Sequence, residues 1–184
     1  MSKKETSNHF YVRRLSFCGV ALALGTVTSL IKVFHFPFGG SITLLSMLFI
    51  CLIGYFYGPV LGISVGVAYG LLQFFVEPIL VHPMQLILDY LLAFGALGLS
   101  GFFYKKKHGL LIGYLVGITG RWICAALSGY IFWSEYAWDG WNAFAYTLVY
   151  NGIYIYAEGI ITIILIALPP VANAINRVRA SVAE

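Results

Sequence analysis

The sequence predicts an all-α integral membrane protein, a bundle of six transmembrane helices, and three observations support this fold class. Of the 184 residues, 60% are hydrophobic and only 10% are charged, whereas soluble domains carry about 25% charged residues. The mean hydropathy is +0.88, and a soluble chain of this length has too little interior to bury so many apolar side chains. The apolar residues also fall into runs long enough to cross a bilayer.

Six apolar segments form a single predicted membrane domain that covers residues 1–184. A spanning helix needs about 20 mostly apolar residues. Pro59 and Pro83 suit the first turns of two of the helices, and Pro169 and Pro170 end the last one. The segments lie at approximately residues 15–34, 41–57, 59–76, 83–104, 109–133 and 143–168.

A stripe of glycines runs from the second segment into the third, with one glycine at every fourth residue. Small residues at this spacing allow helix backbones to approach closely in lipid. The stripe therefore predicts tight packing of the third segment against a neighbouring helix. Its members are Gly54, Gly58, Gly62, Gly66 and Gly70.

The charges of the loops predict that both termini are cytoplasmic. Cytoplasmic loops carry an excess of lysine and arginine. The N-terminus, the connection between segments four and five and the C-terminal tail are basic, and an even number of helices places them on one side. They contain Lys3, Lys4, Arg13, Arg14, Lys105, Lys106, Lys107, Arg177 and Arg179. The opposite loops contain three acids and one lysine, namely Glu77, Glu135, Asp139 and Lys32.

Several classes of function are disfavoured by composition and by motifs. The pI is near 9.0, but the basic residues lie in short clusters between apolar runs, which argues against nucleic-acid binding. Cys18, Cys51 and Cys124 are far apart within apolar runs, so neither a disulfide nor a metal site is expected. No phosphate-binding loop, metalloprotease or hydrolase motif and no nucleophile–base pair occurs in the sequence. We therefore expect no enzyme activity and no cofactor.

Three charged residues lie inside the predicted helices, where charges usually face a cavity or a partner. Asp89 is about two turns from the outer end of segment four, Arg121 is near the middle of segment five, and Glu158 is deeper in segment six. Arg121 and Glu158 differ in depth by about 6 Å at 1.5 Å per residue, so they either form an ion pair or serve separate roles. Asp89 lies nearer the outside and is predicted to contact a ligand rather than to form a purely structural pair.

Aromatic residues occupy the same outer half of the bundle as the isolated aspartate. Tyr146, Tyr150 and Tyr154 follow a spacing of four, Asn151 lies beside them, and Trp133 borders the outer loop. An interfacial aromatic belt would explain Tyr146 but not the two deeper tyrosines. Because aromatic ring faces attract an organic cation and an acid neutralises it, the pattern predicts a ligand cavity between helices that is open to the outside.

Three stretches of the chain are unusual enough to indicate a family. They are GGSITLL (39–45), HPMQLILDYLLAFGALGLSG (82–101) and GRWICAALSGYIFWSEYAWDGWNAFAYTLVYNG (120–152). Together they resemble the thiamine-specific substrate-binding (S) components of energy-coupling factor (ECF) transporters, and the resemblance covers nearly the whole chain. It implies a six-helix bundle in the plasma membrane of a prokaryote, with a vitamin site near the outer face.

The resemblance also implies a set of ligand-binding residues. Asp89 stands where the family has an acidic ligand residue, Tyr90 follows it as the family's tyrosine does, and Arg121 occupies a basic position. The glycine, aromatics and amide of the family's site match Gly129, Trp133, Tyr146 and Asn151.

Two positions depart from the family pattern. Ala125 stands where a well-known member has histidine, and Gly40 stands where that member has tryptophan. Phe36 or Phe38 is expected to supply an aromatic lid in its place. Beside Ala125 the free space is filled by water, by a neighbour such as Tyr150, or by a bulkier ligand. The departures leave open whether the ligand is intact thiamine.

The partners that the resemblance implies are a membrane coupling protein (the T component) and two cytoplasmic ATPases. An S component does not hydrolyse ATP, and it docks through small residues of its first helix. Here the matching residues are Gly19 and Ala23, which alternatively pack inside the bundle.

The sequence thus predicts an S component in the lipid bilayer that binds thiamine from the outside. Three rivals stay open. The first is an S component for another small heterocycle such as a thiamine precursor. The second is a stand-alone proton- or cation-coupled transporter with Asp89, Arg121 and Glu158 as a relay, and the third is a membrane enzyme.

Overall fold

The structure, a computed structural model, describes residues 3–37 and 39–183, with side chains for 10–37 and 39–182. A short 3-10 turn lies at Ser134–Tyr136. The other elements along this part of the chain are seven helical segments and one short hairpin. In order they are α1 (Lys3–Ser29), β1 (Lys32–His35), β2 (Ser41–Thr43), α2 (Ser46–Tyr57), α3 (Pro59–Val76), α4 (Leu86–Phe103), α5 (Gly109–Phe132), α6 (Ala143–Ala167) and α7 (Pro169–Ala183).

The all-helical membrane fold predicted from the sequence is confirmed. Among the described residues, five helices are long and apolar enough to cross a membrane, namely α1 from Phe10 onward, α3, α4, α5 and α6. The helix α2 is apolar but has only 12 residues, or about 18 Å at 1.5 Å per residue. It is therefore shorter than the roughly 30 Å of a bilayer's hydrocarbon core.

A β-hairpin replaces the helical ends that the sequence predicts for segments one and two. The first helix stops at Ser29 and the second begins at Ser46, rather than at residues 34 and 41. Strands β1 and β2 pair antiparallel, and Gly39 and Gly40 in their connection both have φ near +82°. Glycine adopts this left-handed conformation without steric cost, so the chain turns here where apolar composition alone indicated a helix.

The helix α4 is wound irregularly and begins at Leu86, not at Pro83. It runs as a π-helix over Leu86–Leu92, one α-turn over Ala93–Gly95 and a 3-10 helix over Ala96–Phe103. Pro83 lies in the turn before it. Wide π-turns often occur at functional sites, and this one carries the aspartate that the sequence singles out.

The glycine stripe brings α3 against α4, as predicted. A Cβ atom added to Gly66 or Gly70 would collide with the backbone of α4. One added to Gly62 would collide with Cα of Gly54 in α2 and lie 3.0 Å from the carbonyl oxygen of Gly98 in α4. Gly58 has a different role, because it has φ +92° and open space around it. It separates α2 from α3 and allows the sharp turn between them.

The sixth segment ends at the proline pair, as the sequence predicts, and an amphipathic helix that the sequence does not predict, α7, follows it. Pro169 begins the new helix, since proline is tolerated in a first helical turn. Arg179 of α7 donates hydrogen bonds to the hydroxyl of Tyr55 and to the carbonyl oxygen of Tyr104. The helix thus folds back onto the bundle, and Val182 lines the same pocket as Phe10 of α1.

Candidate ligand-binding cavity

A cavity of about 170 Å³ lies at the end of the bundle opposite α7. The hairpin, the ends of α1, α3 and α5 and the starts of α4 and α6 surround it. The structure brings nine of the ten predicted ligand-binding residues to its wall: Asp89, Tyr90, Arg121, Ala125, Gly129, Trp133, Tyr146, Tyr150 and Asn151. The tenth, Phe38, lies outside the described residues.

The carboxylate of Asp89 is held by two side chains that the sequence analysis did not single out. The hydroxyl of Ser128 donates a hydrogen bond of 2.7 Å to Oδ2 of Asp89, and Nε2 of Gln85 donates one of 3.3 Å to the same oxygen. Among the described residues, no hydrogen bond is formed to Oδ1. A carboxylate oxygen accepts up to two bonds, so Oδ1 of Asp89 keeps its capacity to accept hydrogen bonds while Oδ2 fixes the orientation of the carboxylate.

Gln85 also fixes the loop that precedes α4. Its Oε1 accepts hydrogen bonds from the backbone N–H groups of Val81 and His82, at 2.6 and 3.0 Å. The side chain is almost completely buried, with 1% of its surface exposed. One amide therefore ties the loop to Asp89, and both Gln85 and Asp89 line the cavity.

Tyr90 uses its hydroxyl for structure and offers its ring to the cavity. The hydroxyl donates to the carbonyl oxygen of Glu77 at 2.9 Å and accepts from the N–H of Ile79 at 3.0 Å. Its ring contacts Phe74 edge-on, with the centroids 5.4 Å apart. The predicted ligand role of Tyr90 is thus restricted to ring contact, because loop atoms already occupy the hydroxyl.

A ladder of three tyrosines on α6 forms the aromatic wall. The ring centroids of Tyr146 and Tyr150 are 5.4 Å apart, and those of Tyr150 and Tyr154 are 6.2 Å apart. The hydroxyl of Tyr150 donates to the carbonyl oxygen of Gly39 at 2.9 Å, and Phe36 packs its ring 5.7 Å from that of Tyr150. The hairpin therefore packs against the wall. Phe36, one of the two predicted lid aromatics, contacts Tyr150 but is not among the residues that line the cavity.

Asn151 lies between the tyrosine ladder and α5. Its Nδ2 donates to the carbonyl oxygen of Thr147 at 2.9 Å, and its Oδ1 accepts from the hydroxyl of Tyr154 at 2.6 Å. A carboxamide has two N–H donors and two lone pairs, so one of each remains for a ligand. A Cβ atom on Gly129 would be 3.0 Å from Nδ2 of Asn151, which makes Gly129 the position where α5 and α6 approach closely.

One face of α5 carries Ala125, Gly129 and, at the helix end, Trp133. All three line the cavity, as the spacing of four predicts. Ala125 is 8% exposed, and its methyl group offers no hydrogen bond. The ring of Trp133 lies 5.3 Å from that of Tyr136, and this contact helps to hold the indole in place.

The hypothetical ion pair between Arg121 and Glu158 does not form. The guanidinium carbon of Arg121 lies 4.3 Å from the ring centroid of Phe94. Glu158, 2% exposed, accepts hydrogen bonds at the start of α2: from the N–H and hydroxyl of Thr43, the hydroxyl of Ser46 and the N–H of Met47. A carboxylate is favourable at a helix N-terminus, and this one joins the hairpin and α2 to α6.

A further ion pair crosses the cavity end of the bundle. Nζ of Lys32 in β1 is 2.5 Å from Oε2 of Glu77 at the end of α3. From the sequence alone, both residues are identified only as loop charges. Their pairing joins the hairpin to α3, so the hairpin is attached on both sides of the cavity.

The fold and the cavity define a small helical membrane protein. A polar, aromatic-lined pocket lies at the end of the bundle where the hairpin is located. The sequence model of the family described as Thiamine transporter protein (Thia_YuaJ) matches residues 15–177. The chain belongs to this family, and the resemblance stated from the sequence is confirmed at that level.

Individual relatives support the same family. ThiT, the thiamine transporter of Bacillus subtilis (strain 168), is 33% identical over 146 residues, 72% of this chain and 76% of that protein. ThiT of Lacticaseibacillus paracasei is 27% identical over 120 residues, 56% of this chain and 60% of that protein. The structure of ThiT from Listeria monocytogenes is similar with a TM-score of 0.71 and 26% identity, covering 87% of this chain and 96% of that one.

The membership confirms two further predictions made from the sequence. The relatives are transporters, so the chain belongs among transport proteins and not among enzymes. Its apolar helices and its bacterial relatives make it a multi-pass protein of the prokaryotic plasma membrane, as the sequence predicts.

Proposed function

We propose that this chain is the thiamine-binding S component of an ECF transporter and that the cavity is its vitamin site. One observation carries the proposal: the carboxylate of Asp89 shares a single cavity with the rings of Trp133, Tyr146 and Tyr150. The membership of the thiamine transporter family and the likeness to ThiT of Bacillus subtilis support the choice of vitamin.

Thiamine combines a permanently positive thiazolium ring with a flat aminopyrimidine, and the cavity offers groups for each. Oδ1 of Asp89 neutralises the cation or accepts a hydrogen bond from the amino group. The rings of Trp133 and Tyr146 supply stacking faces that also attract a cation. The remaining N–H and lone pair of Asn151 fix the orientation of the ligand. The buried Ser128 and Gln85 act through Asp89 by holding its carboxylate.

The cavity faces the outside of the cell in this proposal, and both termini are cytoplasmic. The basic residues Lys105 and Arg179 lie at the α7 end, whereas the acids Glu77 and Asp89 lie at the cavity end. This distribution agrees with the excess of cations on cytoplasmic loops. We count α2 as the sixth membrane helix. In this proposal the hairpin occupies the part of the bilayer thickness that the short α2 does not span.

Energy coupling is proposed to act through the outer face of α1. Gly19 and Ala23 are both exposed, and a Cβ atom on Gly19 would have no neighbour within 4 Å. This supports a docking role over packing inside the bundle. The proposed partners are a membrane coupling protein (T component) and two cytoplasmic ATPases, and close backbone approach at small residues is the expected mode of contact.

The nearest alternative ligand is another small heterocycle, such as a thiamine precursor, because Ala125 leaves room where a relative has histidine. A stand-alone transporter that relays protons through Glu158 is disfavoured. Four donors from Thr43, Ser46 and Met47 hold that carboxylate in place. A carboxylate bound in this way has a structural role.

Tryptophan fluorescence tests the proposal directly. Among the four tryptophans, Trp133 lines the cavity, so thiamine added to purified protein should change the emission saturably. The change should disappear in Trp133→Phe and persist in Trp141→Phe, which alters an exposed indole. Vesicles that contain this chain alone should bind thiamine without accumulating it. Accumulation by the chain alone would favour the stand-alone transporter.

A further inference from the structure

A second cavity, of about 430 Å³, lies at the opposite end of the bundle from the proposed thiamine site. The helices α1, α2 and α7 and the residues after α4 form its wall. Three cations from three separate parts of the chain converge on it: Arg14 from α1, Lys105 after α4 and Arg179 from α7. None of them takes part in the proposed binding of thiamine.

The second cavity lies at the level where the membrane helices end. Arg14 directly precedes the apolar run predicted at residues 15–34, and Tyr104 directly follows the last residue of the span Leu86–Phe103. Tyr57 is the last residue of α2. All three line the cavity, so its wall lies where hydrocarbon gives way to lipid head groups. Aromatic residues are enriched at this depth.

The three cations are held by uncharged groups. The guanidinium of Arg14 lies 5.3 Å from the ring centroids of Phe10 and Tyr57, and Nζ of Lys105 lies 5.2 Å from that of Tyr104. Arg179 donates to a hydroxyl and to a carbonyl oxygen.

Nearby carboxylates do not neutralise this charge in the part of the chain whose side chains are described. Among these described side chains, no carboxylate lines the second cavity. The ion pair between Lys32 and Glu77 lies at the other end of the bundle. The described wall of the second cavity therefore carries three positive charges and no negative charge.

We propose that the second cavity binds the phosphate of an anionic phospholipid head group. Arg14 and Lys105 supply donors to phosphate oxygens, with bidentate geometry available to the arginine, and Arg179 adds a fixed charge behind them. The rings of Phe10 and Tyr57 face the first carbons of the lipid, which a free phosphate would leave uncovered. Basic pockets between membrane helices on the cytoplasmic side recognise acidic head groups in this way.

The test compares lipid binding by matched variants of the full chain in mild detergent. Native mass spectrometry with added phosphatidylglycerol should show one retained lipid on the unaltered protein. The double variant Arg14→Gln, Lys105→Gln should need at least about tenfold more lipid for equal occupancy. Lys107→Gln removes an exposed lysine that does not line the cavity, and it should retain the lipid. Arg179 is left intact because its hydrogen bonds attach α7.

Three outcomes would overturn the proposal. The first is equal occupancy in the double variant, and the second is equal loss in Lys107→Gln. The third is that soluble glycerol phosphate or inorganic phosphate displaces the lipid at equal concentration, which would make this a free-anion site. Helical circular dichroism and thiamine binding at the opposite end verify that the double variant is folded. If it is not folded, Lys105→Gln alone is used, since Lys105 is exposed and contacts only a ring among the described residues.

Discussion

Gly40 of the hairpin lies directly against the ring of Tyr154 on α6. A Cβ atom added to Gly40 would be 2.6 Å from Cε1 of that ring, and φ at Gly40 is +82°. Any other residue would therefore be strained in its backbone and would also push the ring. The hairpin rests on the aromatic wall of the proposed thiamine site at this point, so its fit is coupled to the shape of the cavity.

Gly40→Ala is expected to weaken thiamine binding by about tenfold or more, since strain of this kind costs roughly 1–3 kcal/mol. Gly140→Ala is the matched control, because Gly140 has φ +78° but no atom within 4 Å of its added Cβ. Isothermal titration of both variants measures the effect. Equal affinities would mean that the contact between Gly40 and Tyr154 does not shape the site.

Glu158→Gln is expected to lower the stability of the purified protein. The carboxylate accepts two hydrogen bonds from Thr43 of β2 and two from the start of α2. A carboxamide has only one acceptor oxygen, and its N–H donors would face the donors of these residues. The free energy of unfolding should fall by about 2–3 kcal/mol, and this loss should appear as a lower melting temperature in detergent. Glu135→Gln changes an exposed acid and should leave the melting temperature unchanged. A melting temperature equal to that of the unaltered protein would refute the structural role of Glu158.

Ala125→His is expected to change ligand preference while the bundle stays folded. If thiamine is the native ligand, the variant should bind it as well or better, because histidine fills the space beside Ala125 and adds a donor. If the native ligand is bulkier, that ligand should lose affinity while thiamine gains. Titration with thiamine and with its pyrimidine and thiazole moieties distinguishes the two. The prediction fails if none of the three affinities changes.

Gly19→Leu is expected to block vitamin uptake in cells and to spare thiamine binding by the purified protein. Leucine would keep a docking helix from close approach, yet there is open space at Gly19, so the bundle itself is undisturbed. Gly19→Ala should have an intermediate effect. Val60→Leu alters an 81% exposed residue on α3 and should leave uptake intact. Loss of binding by purified Gly19→Leu would contradict the docking role.

The long helices were predictable because each apolar run matches the thickness of a bilayer. The hairpin was not, since β1 and β2 are short and their pairing depends on φ at Gly39 and Gly40 rather than on hydropathy. The helix α7 was also missed. It follows two prolines and is amphipathic instead of apolar, so it gives no membrane-span signal.

The candidate site was predictable where a polar residue interrupts an apolar run. Asp89 and Asn151 stand out for this reason, and the spacing of the tyrosines on α6 marks a shared face. Gln85 and Ser128 gave no comparable signal, because single amides and hydroxyls are common at helix ends and in membrane helices. The partners of Glu158 are distant in the sequence, so its attachment to the start of α2 emerged only from the fold.

The most direct test of the proposed thiamine site is the titration of Asp89→Asn with thiamine and with its uncharged pyrimidine moiety. The substitution removes the charge but keeps the shape, so thiamine should lose about 2 kcal/mol or more, near thirtyfold in affinity. The neutral moiety should lose less, and Asp139→Asn, an exposed acid, should bind both as before. A folded Asp89→Asn protein that binds thiamine as tightly as the unaltered chain would contradict the role of this carboxylate as counter-charge.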